Sequence, residues 1–459
     1  MPHIDSTTPA PIAHPTLLRG AILHFPDATP EGARVERRHA EYLPDGVLRI
    51  VDGRVAGLAP AAAAAGLGWP LDDAVDHRGR LIVPGFIDAH VHFPQLEVMG
   101  AWGEQLIGWL ERHTFPMEQR FADPDYAAER AETFLDELLA RGTTSAAVYA
   151  SSHRASAEAL FAAAASRRLR LFAGKVLMDR NAPAALCDSA ESGARDSRAL
   201  IEQWHGRDRL GYAITPRFAA TSTPAQLRAA GELLAAHADV LLQTHLAENQ
   251  DEIAWVRELF PEARDYTDVY DHFGLLGPRT LLGHGIHLSD EELEVLAARR
   301  AVIVFCPSSN LFLGSGLLDL ARLEAAGVRT ALATDVGGGS SLSMLAAAAD
   351  AYRVLQLQGQ SLDPLDALYR ITLGNARALG IERHVGNFAP GREADLVVLD
   401  ASVPSLLAHR AEHCEAPADL LFAHMMLGDE RSVTQTYILG EPVLPASVPA
   451  PATIAVSVP

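Results

Sequence analysis

The chain is poor in several residue types on which other protein classes depend. It has three cysteines in 459 residues, Cys187, Cys306 and Cys414. They are odd in number and far apart, which argues against a disulfide framework or a cysteine-based zinc knuckle and fits a reducing compartment. No stretch approaches the ~18 continuous apolar residues of a membrane span. The opening MPHIDSTTPAPIAHP has no apolar run to serve as a signal peptide. Residues 1–15 therefore read as a disordered tail, on a protein expected to be soluble and cytoplasmic. Positive charge is scarce too: Lys and Arg number 38 against 58 Asp and Glu, a net charge of −20, and Lys175 is the only lysine. Such a surface repels phosphate backbones, so neither nucleic acid nor an anionic membrane is an expected partner.

Core-forming residues are abundant. Hydrophobic residues make up 48% of the chain and charged ones 21%, the balance of a globular protein. The length suits one large domain with a smaller one. From Leu17 to about Val83, short apolar runs such as ILHF, VLRIVDGRV and LIVPG alternate with Gly, Pro and Asp, which is strand-and-turn chemistry. Ala61–Ala65 reads as a short helix there. From Leu81 eight apolar runs follow: LIVPGFIDAHVH, TTSAAVYA, LRLFAGKVLMD, LGYAITPRF, VLLQTHLAE, TLLGHGIHL, AVIVFCPSSN and TALATDVGGG. Between them lie helix-like segments, among them 124–141, 155–168, 224–237, 290–299 and 344–358. This alternation predicts an α/β fold, a (β/α)8 TIM-like barrel over 81–385. After Gly386, ADLVVLD and VTQTYILG return to strand chemistry. Residues 16–80 and 386–445 are thus expected to join into one small β-domain built from both chain ends, with a tail at 446–459.

Barrel enzymes carry their chemistry where strands end and βα-loops begin. The first run ends in His90-Val91-His92, and residues i and i+2 of a strand point the same way, so both imidazoles can meet one ion. The fifth ends in His245-Leu246-Ala247-Glu248, the sixth carries His284, and the eighth leads to Asp335. Each alone has an ordinary reading, as a core histidine, a helix cap or a chance HxH among 19 histidines. Their placement at one end of different strands points to a metal site of nitrogen and oxygen donors.

PGFIDAHVH, the histidines of the fifth and sixth runs and the TD of the eighth resemble the amidohydrolase superfamily of metal-dependent hydrolases. Further segments extend the likeness: His92-Phe93-Pro94-Gln95, TFPME (114–118), GKVLMD (174–179), Thr215-Pro216-Arg217-Phe218, HLAEN (245–249), VYD (269–271) and CPSSNLFLGSG (306–316). This set resembles the guanine deaminases over about residues 81–400. The resemblance implies hydrolytic deamination of guanine to xanthine and ammonia in a homodimeric enzyme. Many superfamily members bridge two metals with a carboxylated lysine after the fourth strand. Here Pro216-Arg217-Phe218 stands there, which implies a single ion on His90, His92, His245 and Asp335. Zinc is the expected ion, and iron accepts the same ligand types. A bound divalent ion can lower the pKa of a water to about 7, giving a hydroxide nucleophile.

The resemblance also implies roles. Glu248 shuttles protons between water and ring nitrogen, Asp335 accepts a proton in turn, and His284 orients the nucleophile. The base would contact His92, Phe93, Pro94, Gln95, Arg217, Phe218, His245, Glu248 and Asp335. Gln95 offers an acceptor and two donors, Arg217 a fork of donors, and Phe218 a face for stacking. Two other enzyme types and one scaffold are the alternatives. A related aminohydrolase acting on a pterin, an adenosyl compound, cytosine or a triazine would lack reason for Gln95 with Arg217-Phe218. A non-catalytic barrel would lack the ligands. The editing zinc deaminases need H-x-E followed by P-C-x-x-C. HAE (39–41) and HCE (413–415) are present, but no two cysteines are close together.

Overall fold

The computed structural model describes residues 15–32, 34–103 and 105–443. Most of the N-terminal tail and all of the C-terminal tail expected from sequence fall outside these. The chain begins with four strands, β1 (Thr16–His24), β2 (Glu41–Val51), β3 (Arg54–Pro60) and β4 (Val75–Pro84). It continues through β5 (Phe86–His92), β6 (Thr143–Tyr149), β7 (Arg170–Gly174), the short β8 (Val176–Leu177) and β9 (Leu210–Pro216). Then come β10 (Leu241–Leu246), β11 (Thr280–His284), β12 (Val302–Phe305) and β13 (Arg329–Leu332), and finally β14 (Leu396–Leu399), β15 (Val433–Ile438) and β16 (Glu441–Val443).

Two sheets result. Strands β5 to β13 pair in parallel, in sequence order, with β8 set beside β9. The Asp335 amide donates to the His90 carbonyl at 2.9 Å and the His92 amide to the Val336 carbonyl at 2.8 Å, stitching the last crossing to the first strand. The eight-stranded barrel is thereby nearly closed. The second sheet has the order β16-β15-β14-β4-β1-β2-β3 and mixes strands from both ends of the chain.

The helices begin where their caps dictate. Asp123 accepts from the amides of Asp125 and Tyr126 ahead of the helix Pro124–Ala140, whose first position is a proline that has no amide to satisfy. Ser289 and Glu292 form a reciprocal capping box before Asp290–Arg299.

One boundary differs from the sequence reading. Residues 81–84, expected within the first barrel strand, belong to β4 and pair with β14, Leu81 opposite Leu399 and Pro84 opposite Leu396. The chain passes from one sheet to the other at Gly85. A Cβ there would lie 2.1 Å from the Thr144 hydroxyl, so only glycine lets the strands approach this closely. Among the described residues, no helix is long and apolar enough to cross a membrane.

Candidate metal centre and base pocket

His90 and His92 end β5, His245 lies one residue from the end of β10, and Asp335 follows β13 in the loop that closes the barrel. Their ligand atoms all lie within 4.8 Å of one another. The Nε2 atoms of His90 and His92 are 3.2 Å apart, as are those of His92 and His245. Asp335 Oδ1 stands 3.3 Å from His90 and 3.4 Å from His92. Gly283 makes room for this group, because a Cβ there would meet the His90 ring at 2.7 Å.

The electrostatics indicate what these atoms face. His245 Nδ1 lies 2.7 Å from the Arg217 carbonyl and donates to it, leaving the Nε2 lone pair directed inward. Burial pushes the His92 imidazole down to about 4, against the pull of Asp335. Burial and the neighbouring histidines hold His245 well below its ordinary value. Burial raises the Asp335 carboxyl, but His90, His92 and His284 outweigh it and keep it well below the usual range. Imidazole nitrogens and a carboxylate converging on one point have the donor chemistry of a divalent cation site.

Glu248 and His284 flank the group. Ser315 Oγ donates to Glu248 Oε1 at 2.9 Å, and His284 Nε2 lies 3.3 Å from Glu248 Oε2 and 3.7 Å from Asp335 Oδ2. The other His284 nitrogen meets Asn310 Oδ1 at 2.9 Å. Burial, reinforced by the charge of Asp335, pushes the Glu248 carboxyl up to about 8, the range of a group that exchanges protons at neutral pH. His284 stands outside the group of four. It forms a second cluster with Cys306 and Asp335, but burial drives the Cys306 thiol far up, which disfavours the thiolate a metal would need.

Ala247, His284 and Asp335 all have positive φ, at 49°, 72° and 51°. Such conformations cost roughly 1–3 kcal/mol each and are concentrated at functional sites.

A cavity opens over these residues. His92, Gln95, Arg217, Phe218, His245, Glu248, His284 and Asp335 line it, with Leu106, Trp109, Leu110 and Leu313 as an apolar roof. Two residues expected to touch a base do not reach it. After His92 the strand turns into the 3₁₀ segment Phe93–Val98, which carries Phe93 away to pack on Phe121 at 4.9 Å and Phe134 at 5.5 Å. Pro94 is buried in the same turn and is likewise absent from the lining. Phe218 is present, edge-on to Trp255.

Gln95 and Arg217 share a partner with no expected role, Glu118. Its Oε1 accepts from Gln95 Nε2 at 3.0 Å and Arg217 Nη1 at 2.9 Å, and its Oε2 from Arg217 Nη1 at 2.8 Å. Ser315 and Glu252 also had no assigned role. Glu252 Oε2 accepts from the Glu248 amide at 2.8 Å, fixing the backbone that carries that carboxyl. Glu118 and Ser315 lie inside the TFPME and GSG segments that carry the resemblance, which was the available signal.

Comparison with known proteins agrees with this geometry. The model of the amidohydrolase family matches residues 81–443. Guanine deaminase of Escherichia coli (strain K12) is 47% identical over 365 residues, covering 80% of this chain and 83% of that protein. The solved structure of E. coli guanine deaminase superposes with a TM-score of 0.91 at 43% identity, over 94% of this chain and 99% of that one. Guanine deaminase from C. acetobutylicum, with guanine bound in its active site, superposes with a TM-score of 0.84 at 27% identity, over 94% of this chain and all of that one.

Proposed function

Because the chain belongs to the amidohydrolase family, we propose that it hydrolyses guanine to xanthine and ammonia at a single zinc ion held by His90, His92, His245 and Asp335. The observation that carries this reading is the meeting of two groups in the lining of one cavity. The same cavity is lined by His92, His245 and Asp335 of the four-ligand cluster, by Glu248, and by Gln95 and Arg217, which Glu118 ties together. Zinc suits three imidazoles and a carboxylate and brings no redox chemistry. Held by these four residues, a zinc ion would supply a water acidic enough to act as a nucleophile at neutral pH.

The chain's own residues do the rest. Gln95 and Arg217 hold the base by its lactam edge, so that the amino-bearing carbon faces the cluster. Phe218 and the apolar roof cover the ring and keep bulk water out. Glu248 moves a proton from the attacking water to the ring nitrogen beside that carbon, with His284 orienting the water between Glu248 and Asp335. Asp335 receives the second water proton and returns it to the amine, which leaves as ammonia when the carbon–nitrogen bond breaks. One guanine and one water become one xanthine and one ammonia. Zinc-loaded protein given guanine should release xanthine and ammonia in equal amounts. Failure on guanine alongside turnover of cytosine, a pterin or a triazine would overturn the substrate assignment.

A further inference from the structure

Glu118 has 1% of its surface exposed and does not line the cavity, yet it touches Gln95 and Arg217, which do. It ends the helical turn Phe115–Glu118, in the same stretch of chain that supplies Leu106, Trp109 and Leu110 to the roof. Arg217 is also buried, with its guanidinium 5.4 Å from the centre of the Phe115 ring. A buried guanidinium is always charged and needs a counter-charge. Glu118 supplies it on one nitrogen, leaving other N–H groups for a ligand. The same carboxylate fixes Gln95. One amide hydrogen goes to Glu118, and Gln95 Oε1 accepts from the Gly337 amide at 3.3 Å, so turning the amide over would lose both contacts.

Resting on the guanine reading above, we infer that Glu118 is a positioning residue that keeps the base-binding wall electrically neutral. It thereby favours the neutral substrate over the anionic form of its own product. Guanine is neutral near pH 7. Xanthine has a second carbonyl where guanine has its amine, so an N–H lies between two carbonyls and xanthine is the stronger acid. With Arg217 balanced, the wall gives the xanthine anion no cation to pair with. Without Glu118, the same guanidinium would become an anion site.

The test uses metal-loaded protein in three forms, the parent, Glu118→Gln and Glu118→Asp. The KM for guanine and the inhibition constant of xanthine are measured at mildly alkaline pH, where xanthine is partly ionised. In Glu118→Gln the inhibition constant of xanthine, relative to the KM for guanine, should fall by about tenfold or more, as expected when a buried cation loses its partner. Glu118→Asp keeps the charge and should hold that ratio near the parent's, whatever it does to kcat. A purely structural role would weaken both ligands together. An unchanged ratio in Glu118→Gln, or an equal shift in Glu118→Asp, would overturn the inference. Should Glu118→Gln not fold, the parent alone decides. Its inhibition by xanthine should weaken as pH rises through the product's ionisation, and inhibition that stays constant or tightens would overturn the inference. A parent that releases no ammonia from guanine refutes the reaction instead, which is a separate result from either of these.

Discussion

Glu248 lies between a hydroxyl on one oxygen and an imidazole on the other, three residues beyond a candidate ligand. Replacing it with Gln keeps its volume and removes its ability to carry a proton. Glu248→Gln should therefore retain its metal and bind guanine while kcat falls by about 10²–10⁴. Turnover close to the parent's in a stopped-flow or ammonia-release assay would show that another group moves the proton. The four candidate ligands and Glu248 were legible in the sequence because each sits at a strand end or within three residues beyond one, where position alone places a side chain near the barrel mouth. Glu118 was not legible as part of the wall, because its partner Arg217 lies 99 residues away and nothing local marks the pairing. Phe93 was misplaced because strand alternation stops at His92, and the 3₁₀ turn that follows sends its side chain to the core.

Among elements, the joint between the two sheets is the part most exposed to test. Arg170 opens β7 and Arg209 precedes β9, while Glu393 and Asp395 lead into β14. Arg170 meets both Glu393 oxygens at 2.6 and 3.0 Å, Arg209 meets Glu393 at 2.9 Å, and Arg209 also pairs with Asp395. Removing one charge from a buried cluster leaves the others uncompensated, so Glu393→Gln should cost roughly 3–5 kcal/mol in denaturant unfolding. Burial raises the Glu393 carboxyl, but Arg170 and Arg209 outweigh it and hold it below its ordinary value. A depressed carboxylate contributes stability that is complete above its unfolded value, ~4.3. That contribution is lost as pH falls through the folded value. The stability gap between parent and Glu393→Gln should thus shrink on acidification below that point, and a gap that widens toward acid would contradict the account. The helix Asp290–Arg299 was legible to the residue and the starts of Pro124–Ala140 and Pro224–Ala236 with it, because caps mark them. The division of LIVPGFIDAHVH between two sheets was not, because every residue from Leu81 to His92 is buried and the run shows no change of period at the crossing.

For the whole molecule, the absence of a second metal is the main quantitative expectation. Lys175, the only lysine, is buried between β7 and β8 with its ammonium paired to Asp188, and the fourth barrel strand ends in Pro216 and Arg217. Elemental analysis of active protein should approach one equivalent of metal per chain, and His90→Ala should lose that metal together with activity. Two tightly held equivalents, both required for turnover, would rule out the mononuclear site. An ion held only by the folded chain would stabilise it, so chelation should also lower the thermal midpoint. At a thousandfold excess of ligand over its dissociation constant, such linkage amounts to about 4 kcal/mol.

The seven-stranded sheet has a further consequence, for the order of events during synthesis. All the barrel strands leave the ribosome before β14, yet β14 covers the edge of β4 from which the chain enters the barrel. Until Leu399 has emerged, the nascent chain carries an unpaired apolar edge, Leu81–Pro84, beside an otherwise completed barrel. Such edges recruit strands from other chains. On a crowded polysome the nearest available strand belongs to a neighbouring copy of the same protein. A chain stopped after Asp395 should therefore sediment as aggregate when one continuing to Val443 remains in the supernatant, and equal solubility of the two would show that the edge is covered by other means.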